Sequence, residues 1–282
     1  MRDEQFSRTS LATAMMRAAH QVMDGDNLIL HDPIALSLLG PAARQQLEDS
    51  RSRYQNALSA ALRSHVVLRS RYTEDRLRAA VDRGVRQYIQ IGAGLDTFAL
   101  RQPDWAKDLT IIEADHPATQ AAKRRCVEAA ALTLPTNLRF VSVDFEKVTL
   151  SEALRSHAVD VTQPTFFSWL GVTMYLTDVA IESTLAAIAA FPPGSEVVLT
   201  FSPPFENRTP VMSAVNTAFS RRVAHYGEPF LSFFEPAAME EKLRHAGFSA
   251  VEFLSVDAAR EIYFQNASLP APTRVSIVSA TR

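Results

Sequence analysis

Between Gln87 and Phe201 the chain carries five short apolar runs separated by stretches at helical spacing, an alternation that restricts it to parallel strands joined by helices. The runs are Gln87 to Ile91, Leu109 to Ala114, Leu138 to Val143, Thr165 to Leu170 and Glu196 to Phe201. Each is apolar throughout, which predicts strands covered on both faces. Phe248 to Ser255 and Arg274 to Ala280 add two strand candidates about 18 residues apart, with no long amphipathic helix between them, so an antiparallel pair is expected to close the sheet. Upstream, residues 1–84 hold no convincing strand. Leu11, Met15, Ala18, Ala19 and Val22 recur at helical spacing, and Asp24, Gly25 and Asp26 end that helix. Asp32 and Pro33 start another as N-cap and first helical residue, and a third pattern runs from Tyr54 to Asp82 and stops at Gly84. The expected organisation is a helical extension over 1–84 and an α/β domain over 85–282. An insertion after the fifth strand, over 202–230 with a helix from Val211 to Val223, reads as a lid.

At 282 residues and 47% hydrophobic composition the chain can bury one large core. Acidic and basic residues nearly cancel, at 31 against 29, and no block of like charges could track a phosphate backbone, which argues against nucleic acid as a partner. Cys126 is the one cysteine, which rules out an intramolecular disulfide or a multi-thiolate zinc site and fits a reducing compartment. The start lacks a signal-peptide pattern and no stretch reaches the roughly 18 apolar residues of a membrane span, so a cytoplasmic protein with no membrane partner is expected.

The first strand runs into Gly92-Ala93-Gly94-Leu95-Asp96-Thr97, a glycine turn where strand feeds helix and backbone can approach a ligand closely. A lone GxG serves tight turns equally well. The second strand ends in Glu113-Ala114-Asp115-His116-Pro117, which places acids about 20 residues beyond the glycines, where ribose hydroxyls need acceptors. Capping of the next helix is the competing role for these acids. The third ends in Val143-Asp144-Phe145, a carboxylate for an exocyclic amine and an aromatic to cover a base. Three neighbouring strand ends with polar groups agree with ligand binding at the carboxyl edge of an open sheet.

With these motifs, and with Gly171-Val172-Thr173-Met174-Tyr175-Leu176 beyond the fourth strand, the sequence resembles the leucine carboxyl methyltransferase family, including its bacterial small-molecule O-methyltransferase branch. The likeness covers most of the chain and includes Arg17-Ala18, Asp32-Pro33-Ile34-Ala35 and Arg69-Ser70-Arg71-Tyr72 in the helical part. It implies a Rossmann-like sheet of seven mostly parallel strands and S-adenosyl-L-methionine as cofactor. On the same basis Gly92, Gly94 and Asp96 belong to the cofactor turn, Asp115 binds ribose with Glu113 as helper, and Asp144 and Phe145 frame adenine. Arg69 or Arg71 would take the cofactor's carboxylate through a two-pronged guanidinium contact, and spacing does not say which. Two departures stand out. Leu170 replaces the family's glutamate, for which Trp169 or Thr173 is the candidate substitute, and Phe98 stands where an arginine is common, although Arg101 matches a later one.

The reading is a methyltransferase acting on a carboxyl or phenolic oxygen of a small molecule, of polyketide type for instance. A carboxylate, with a pKa of about 4, needs no base, whereas a phenol, with one near 10, does. Tyr175, His225 and Tyr226 are the candidate catalytic residues. His20, His31, His65, His116, His157 and His245 show no close ligand spacing, so no metal is expected, and Cys126 reads as packing. Three alternatives stay open: a protein carboxyl methyltransferase, an NAD-dependent oxidoreductase, and a metabolite-binding protein without turnover. Thr97 in place of a third glycine speaks against NAD.

Overall fold

The computed structural model describes residues 7–204 and 229–282. Its strands are β1 (Gln87–Ile91), β2 (Thr110–Asp115), β3 (Leu138–Ser142), β4 (Thr165–Trp169), β5 (Glu196–Thr200), β6 (Ala250–Phe253) and β7 (Ile277–Thr281). They form one sheet in the order β3-β2-β1-β4-β5-β7-β6. β1 to β5 are mutually parallel, and β7 runs antiparallel between β5 and β6, as expected. Gln87 pairs with both Thr110 and Thr165, so neighbouring strands start level and their carboxyl ends share one edge. One expectation needs correction and one short element is added. β3 is not uniformly buried, because it is an edge strand and only Val141 is fully covered. Between β6 and β7 lies a short amphipathic helix (Val256–Tyr263, called α10 below), whose N-cap Ser255 accepts from Ala258 N at 3.1 Å.

The helices before β1 are α1 (Arg8–Met23), α2 (Ile34–Leu39), α3 (Pro41–Asp49), α4 (Arg51–Gln55) and α5 (Ala57–Asp82). Asp32 Oδ1 accepts from Ala35 N at 3.0 Å, the capping role its sequence position predicts. The pattern that begins at Tyr54 is split, because Asn56 caps α5 by accepting from Ser59 N and so separates it from α4. After β1 come α6 (Pro117–Ala129), α7 (Leu150–Ser156), α8 (Asp178–Ala189) and, after β5, α9 (Pro236–Ala246). One face of the sheet buries Ile89, Phe167, Trp169 and Val197 against α7, α8 and α9. The other buries Tyr88, Ile111, Phe166 and Val198 against α5 and α10. Val67, Leu68, Tyr72, Leu77 and Ala80 of α5 belong to this second core, each large side chain contributing about 1.5 to 3 kcal/mol by leaving water.

α5 crosses the sheet from its carboxyl edge down to its amino edge. Arg76 Nε meets Glu196 Oε1, at the start of β5, at 2.6 Å. One turn earlier Tyr72 Oη donates to Ser279 Oγ at 3.3 Å, opposite Val198 in mid-sheet. Arg69 then reaches Gly171, past the end of β4. The amino-terminal turns of α5 therefore overhang the edge where the strands end. Among the described residues no helix is long and apolar enough to cross a membrane.

Candidate active site

The strand order reverses between β1 and β4, and in an open parallel sheet that switch point opens a crevice at the carboxyl edge. On one side of it Gly92 and Gly94 sit at φ +69° and +55°, a region that disfavours other residues. A side chain on Gly94 would come 2.6 Å from Ser10 Oγ, so α1 lies directly on the turn. Ser10 Oγ accepts from Leu95 N at 3.0 Å and Arg17 donates to the Leu95 carbonyl, fastening the turn from above. Asp96 braces it from beneath, accepting from Gln90 Nε2 at 2.9 Å and Phe98 N at 2.8 Å. Burial opposes ionisation of Asp96, but Arg17, Lys123 and Arg101 outweigh it and hold the carboxyl below its usual range. At the end of β2, Asp115 accepts from Gly94 N at 2.5 Å and from His116 N at 2.6 Å. Burial nevertheless pushes its carboxyl above the ordinary range.

Across the crevice Gly171 adopts φ +73°, and a side chain there would come 2.6 Å from Arg69 Nη1. The missing side chain lets the guanidinium lie over the turn after β4. Among the described residues that guanidinium has no hydrogen-bond or ion-pair partner, and burial followed by repulsion from Arg17 lowers its pKa to about 10. Tyr175 and Asp96 act in the opposite sense. The Arg69 side chain is half-buried, so its forked donors are left free to take an anion at the rim. Arg71 is half-exposed and pairs with Asp75 at 2.9 Å. Two residues on a helix turn the side chain about 200°, so Arg69 and Arg71 face opposite ways and only Arg69 reaches the crevice.

At the end of β3, Asp144 lies 3.2 Å from Lys147 Nζ and 3.7 Å from His116 Nε2. Burial opposes the Glu146 N–H and Lys147, which hold its carboxyl below the usual range. Phe145, Tyr175, Leu176, Val179 and Leu231 are among the residues lining a crevice of about 390 Å³ beside it. Tyr175 packs on Phe230 with ring centroids 5.3 Å apart, and Leu231 N donates to the Met174 carbonyl at 2.7 Å.

Two candidates from the sequence do not reach this rim. Glu113 is fully buried, and both its oxygens take Lys123 Nζ of α6 at 2.6 Å, so it supports the wall rather than a ribose. Trp169 lies within the apolar core, its Nε1 without a partner among the described residues, because alternation along β4 turns it toward α7 and α8. Thr173 is committed to the Thr200 carbonyl at 2.8 Å and Leu170 packs under α5, so neither supplies the polar group of the family's glutamate. His225 and Tyr226, with most of the expected lid, lie outside the described residues. The sequence reading missed Ser10, and it passed over His65, one turn before Arg69 on the same face of α5. The spacing Leu58, Leu62, His65, Arg69 is the signal that marks that face.

A five-stranded parallel sheet closed by an antiparallel pair, with a glycine turn and an acid-tipped second strand at the switch point, defines a nucleoside-binding α/β fold of the methyltransferase class. The chain belongs to the leucine carboxyl methyltransferase family, whose sequence pattern matches residues 10–189. It is an S-adenosylmethionine-dependent methyltransferase. YktD of Bacillus subtilis, described as a "Putative S-adenosyl-L-methionine-dependent methyltransferase", is 31% identical over 293 residues, 94% of each chain. A Mycolicibacterium paratuberculosis protein of the same description is 32% identical over 204 residues, spanning 68% of this chain and 66% of its own. The fold is shared with a Thermobifida fusca protein of solved structure, at TM-score 0.55 and 17% identity, covering 87% of this chain and 92% of that one.

Proposed function

We infer that the chain transfers the methyl group of S-adenosylmethionine to a carboxyl or phenolic oxygen of a small molecule. The observation that carries this reading is the uncompensated Arg69 guanidinium over Gly171, facing the glycine turn and Asp115 across the switch point. This set suits the cofactor's two ends. Arg69 takes its carboxylate through a forked contact. The turn at Gly92 and Gly94, whose missing side chains make room for Val172 and Ser10, borders its methionine chain, Asp115 accepts from ribose hydroxyls, and Asp144 with Phe145 borders the adenine. The bound cofactor supplies a methyl carbon on a positively charged sulfur, open to in-line displacement. The protein's task is to align the acceptor oxygen with that carbon and exclude water. α1, lying on the turn, and the overhanging part of α5 supply walls for a compact acceptor.

A protein carboxylate is the second reading, favoured by the family's name. The test is incubation with methyl-labelled cofactor and separate panels of aromatic acids, phenols and peptides ending in leucine. Label in a small molecule that disappears with Arg69→Met supports the proposal. Label only in peptides selects the second reading, and no S-adenosylhomocysteine binding by the wild-type protein would remove both.

A further inference from the structure

α5 meets the sheet at Arg76, Tyr72 and Arg69, each step moving toward the carboxyl edge. His65 is the next step, about 6 Å beyond Arg69 along the helix axis. It shares a face with Arg69 and with Leu62 and Leu58, which are 39% and 55% exposed although apolar. The half-buried imidazole has no hydrogen-bond partner among the described residues. One turn past Arg69 there is thus a half-buried imidazole, without a hydrogen-bond partner among the described residues, bordered by exposed apolar surface.

We propose that His65 is the catalytic base for a hydroxyl acceptor with a flat apolar body resting on Leu62, so that the enzyme methylates phenol-type oxygens rather than carboxylates. The inference rests on the methyltransferase reading above and resolves its choice of acceptor. A carboxylate placed here would face a neutral ring after Arg69 had been matched by the cofactor, and burying it unpaired is costly. A hydroxyl needs a proton acceptor, and the ring is one. In the transfer the hydroxyl oxygen bonds the methyl carbon as the carbon–sulfur bond breaks and leaves its electron pair on sulfur. The hydroxyl proton passes to the His65 imidazole and from there to water. The new imidazolium charge arises as the sulfonium charge vanishes, so the pocket gains no net charge. Burial and the neighbouring Arg69 hold the unliganded imidazole neutral, with a pKa of about 4. An anion on Arg69 cancels the second of these effects and makes the ring more basic when the cofactor is present.

The experiment uses the full chain, a panel of naphthols and hydroxyflavones, and matched aromatic carboxylic acids, with His65→Gln as the variant. Expected are methylation of at least one phenol and a kcat/KM at least tenfold above that of its matched acid. His65→Gln should keep S-adenosylhomocysteine affinity within twofold and lower kcat about 100-fold. Its rate should recover about tenfold per pH unit toward the phenol's own pKa, because a phenolate needs no base; a merely structural residue would not produce that profile. Independently, the His65 pKa read by NMR should rise by half a unit or more when S-adenosylhomocysteine binds. Wild-type kcat in His65→Gln, preference for the acids, an unmoved His65 pKa, or no phenol methylated by protein that binds S-adenosylhomocysteine each overturn the proposal. Absence of S-adenosylhomocysteine binding would instead sink the cofactor reading beneath it.

Discussion

Two cations flank the same sheet edge, Lys123 fully buried on α6 and Arg69 half-buried on α5, and among the described residues only Lys123 has a partner. Lys123 Nζ has both Glu113 oxygens at 2.6 Å, and each side chain is 1% exposed. Arg69 has no such partner among the described residues, and a glycine clears space for its guanidinium. A buried charge already matched by the protein is part of the wall, while one left unmatched is held ready for something that arrives later.

Replacing each cation should therefore have opposite consequences. Lys123→Met strands the Glu113 carboxylate in the core and is expected to cost about 3 to 5 kcal/mol of stability in urea unfolding. Adding Glu113→Gln should return most of that loss. A loss under about 1 kcal/mol would mean that the pair is not buried as described. Arg69→Met should leave stability unchanged or raise it, since it removes a desolvated charge, while weakening S-adenosylhomocysteine binding by about 2 to 3 kcal/mol in calorimetry. If Arg69→Met unfolds the protein as Lys123→Met does, the contrast between the two sides is lost.

Asp115→Ala tests the rim on the α6 side, where the carboxylate accepts from the glycine turn and is proposed to accept from ribose as well. Its loss should weaken S-adenosylhomocysteine binding by about 1 to 2 kcal/mol. Unchanged affinity would leave Asp115 as a brace for Gly94 and nothing more.

The parts of this site that could be read beforehand are those whose meaning is local. A glycine turn after an apolar run and an acid at the next strand end are defined by a few neighbouring residues, and Gly92, Gly94 and Asp115 lie where that pattern puts them. Glu113 and Asp115 lie two residues apart on one face of β2, so alternation could not separate them. What distinguishes them is depth, since α6 covers Glu113 and stops short of Asp115. Arg69 and Arg71 differ only in helix phase, which becomes visible once α5 is seated on the sheet. His65 was hard to place for a related reason: its spacing with Leu58, Leu62 and Arg69 marks one helix face, but nothing in the sequence says that α5 extends past the strand ends. Uniform strand burial failed at β3 because strand order across a sheet is a property of the whole chain.

The smallest predicted effect sharpens the contrast at His65, whose environment depends on whether Arg69 is matched. In the unliganded fold its pKa is about 4, below the unfolded value near 6.5, so between those limits the unfolded chain binds more protons. Stability from keeping the ring neutral is fully present above pH 6.5 and is lost as pH falls toward 4. Between pH 7 and pH 5.5 the wild type should lose about 1 kcal/mol more than His65→Gln in parallel urea titrations. Saturating S-adenosylhomocysteine should shrink that difference, because an anion on Arg69 raises the folded pKa toward the unfolded one. The same shrinkage should be absent in an Arg69→Met background, where no cation remains to be neutralised. A pH difference that persists with ligand bound would show that burial alone depresses the imidazole, and that the two residues are neighbours without being coupled.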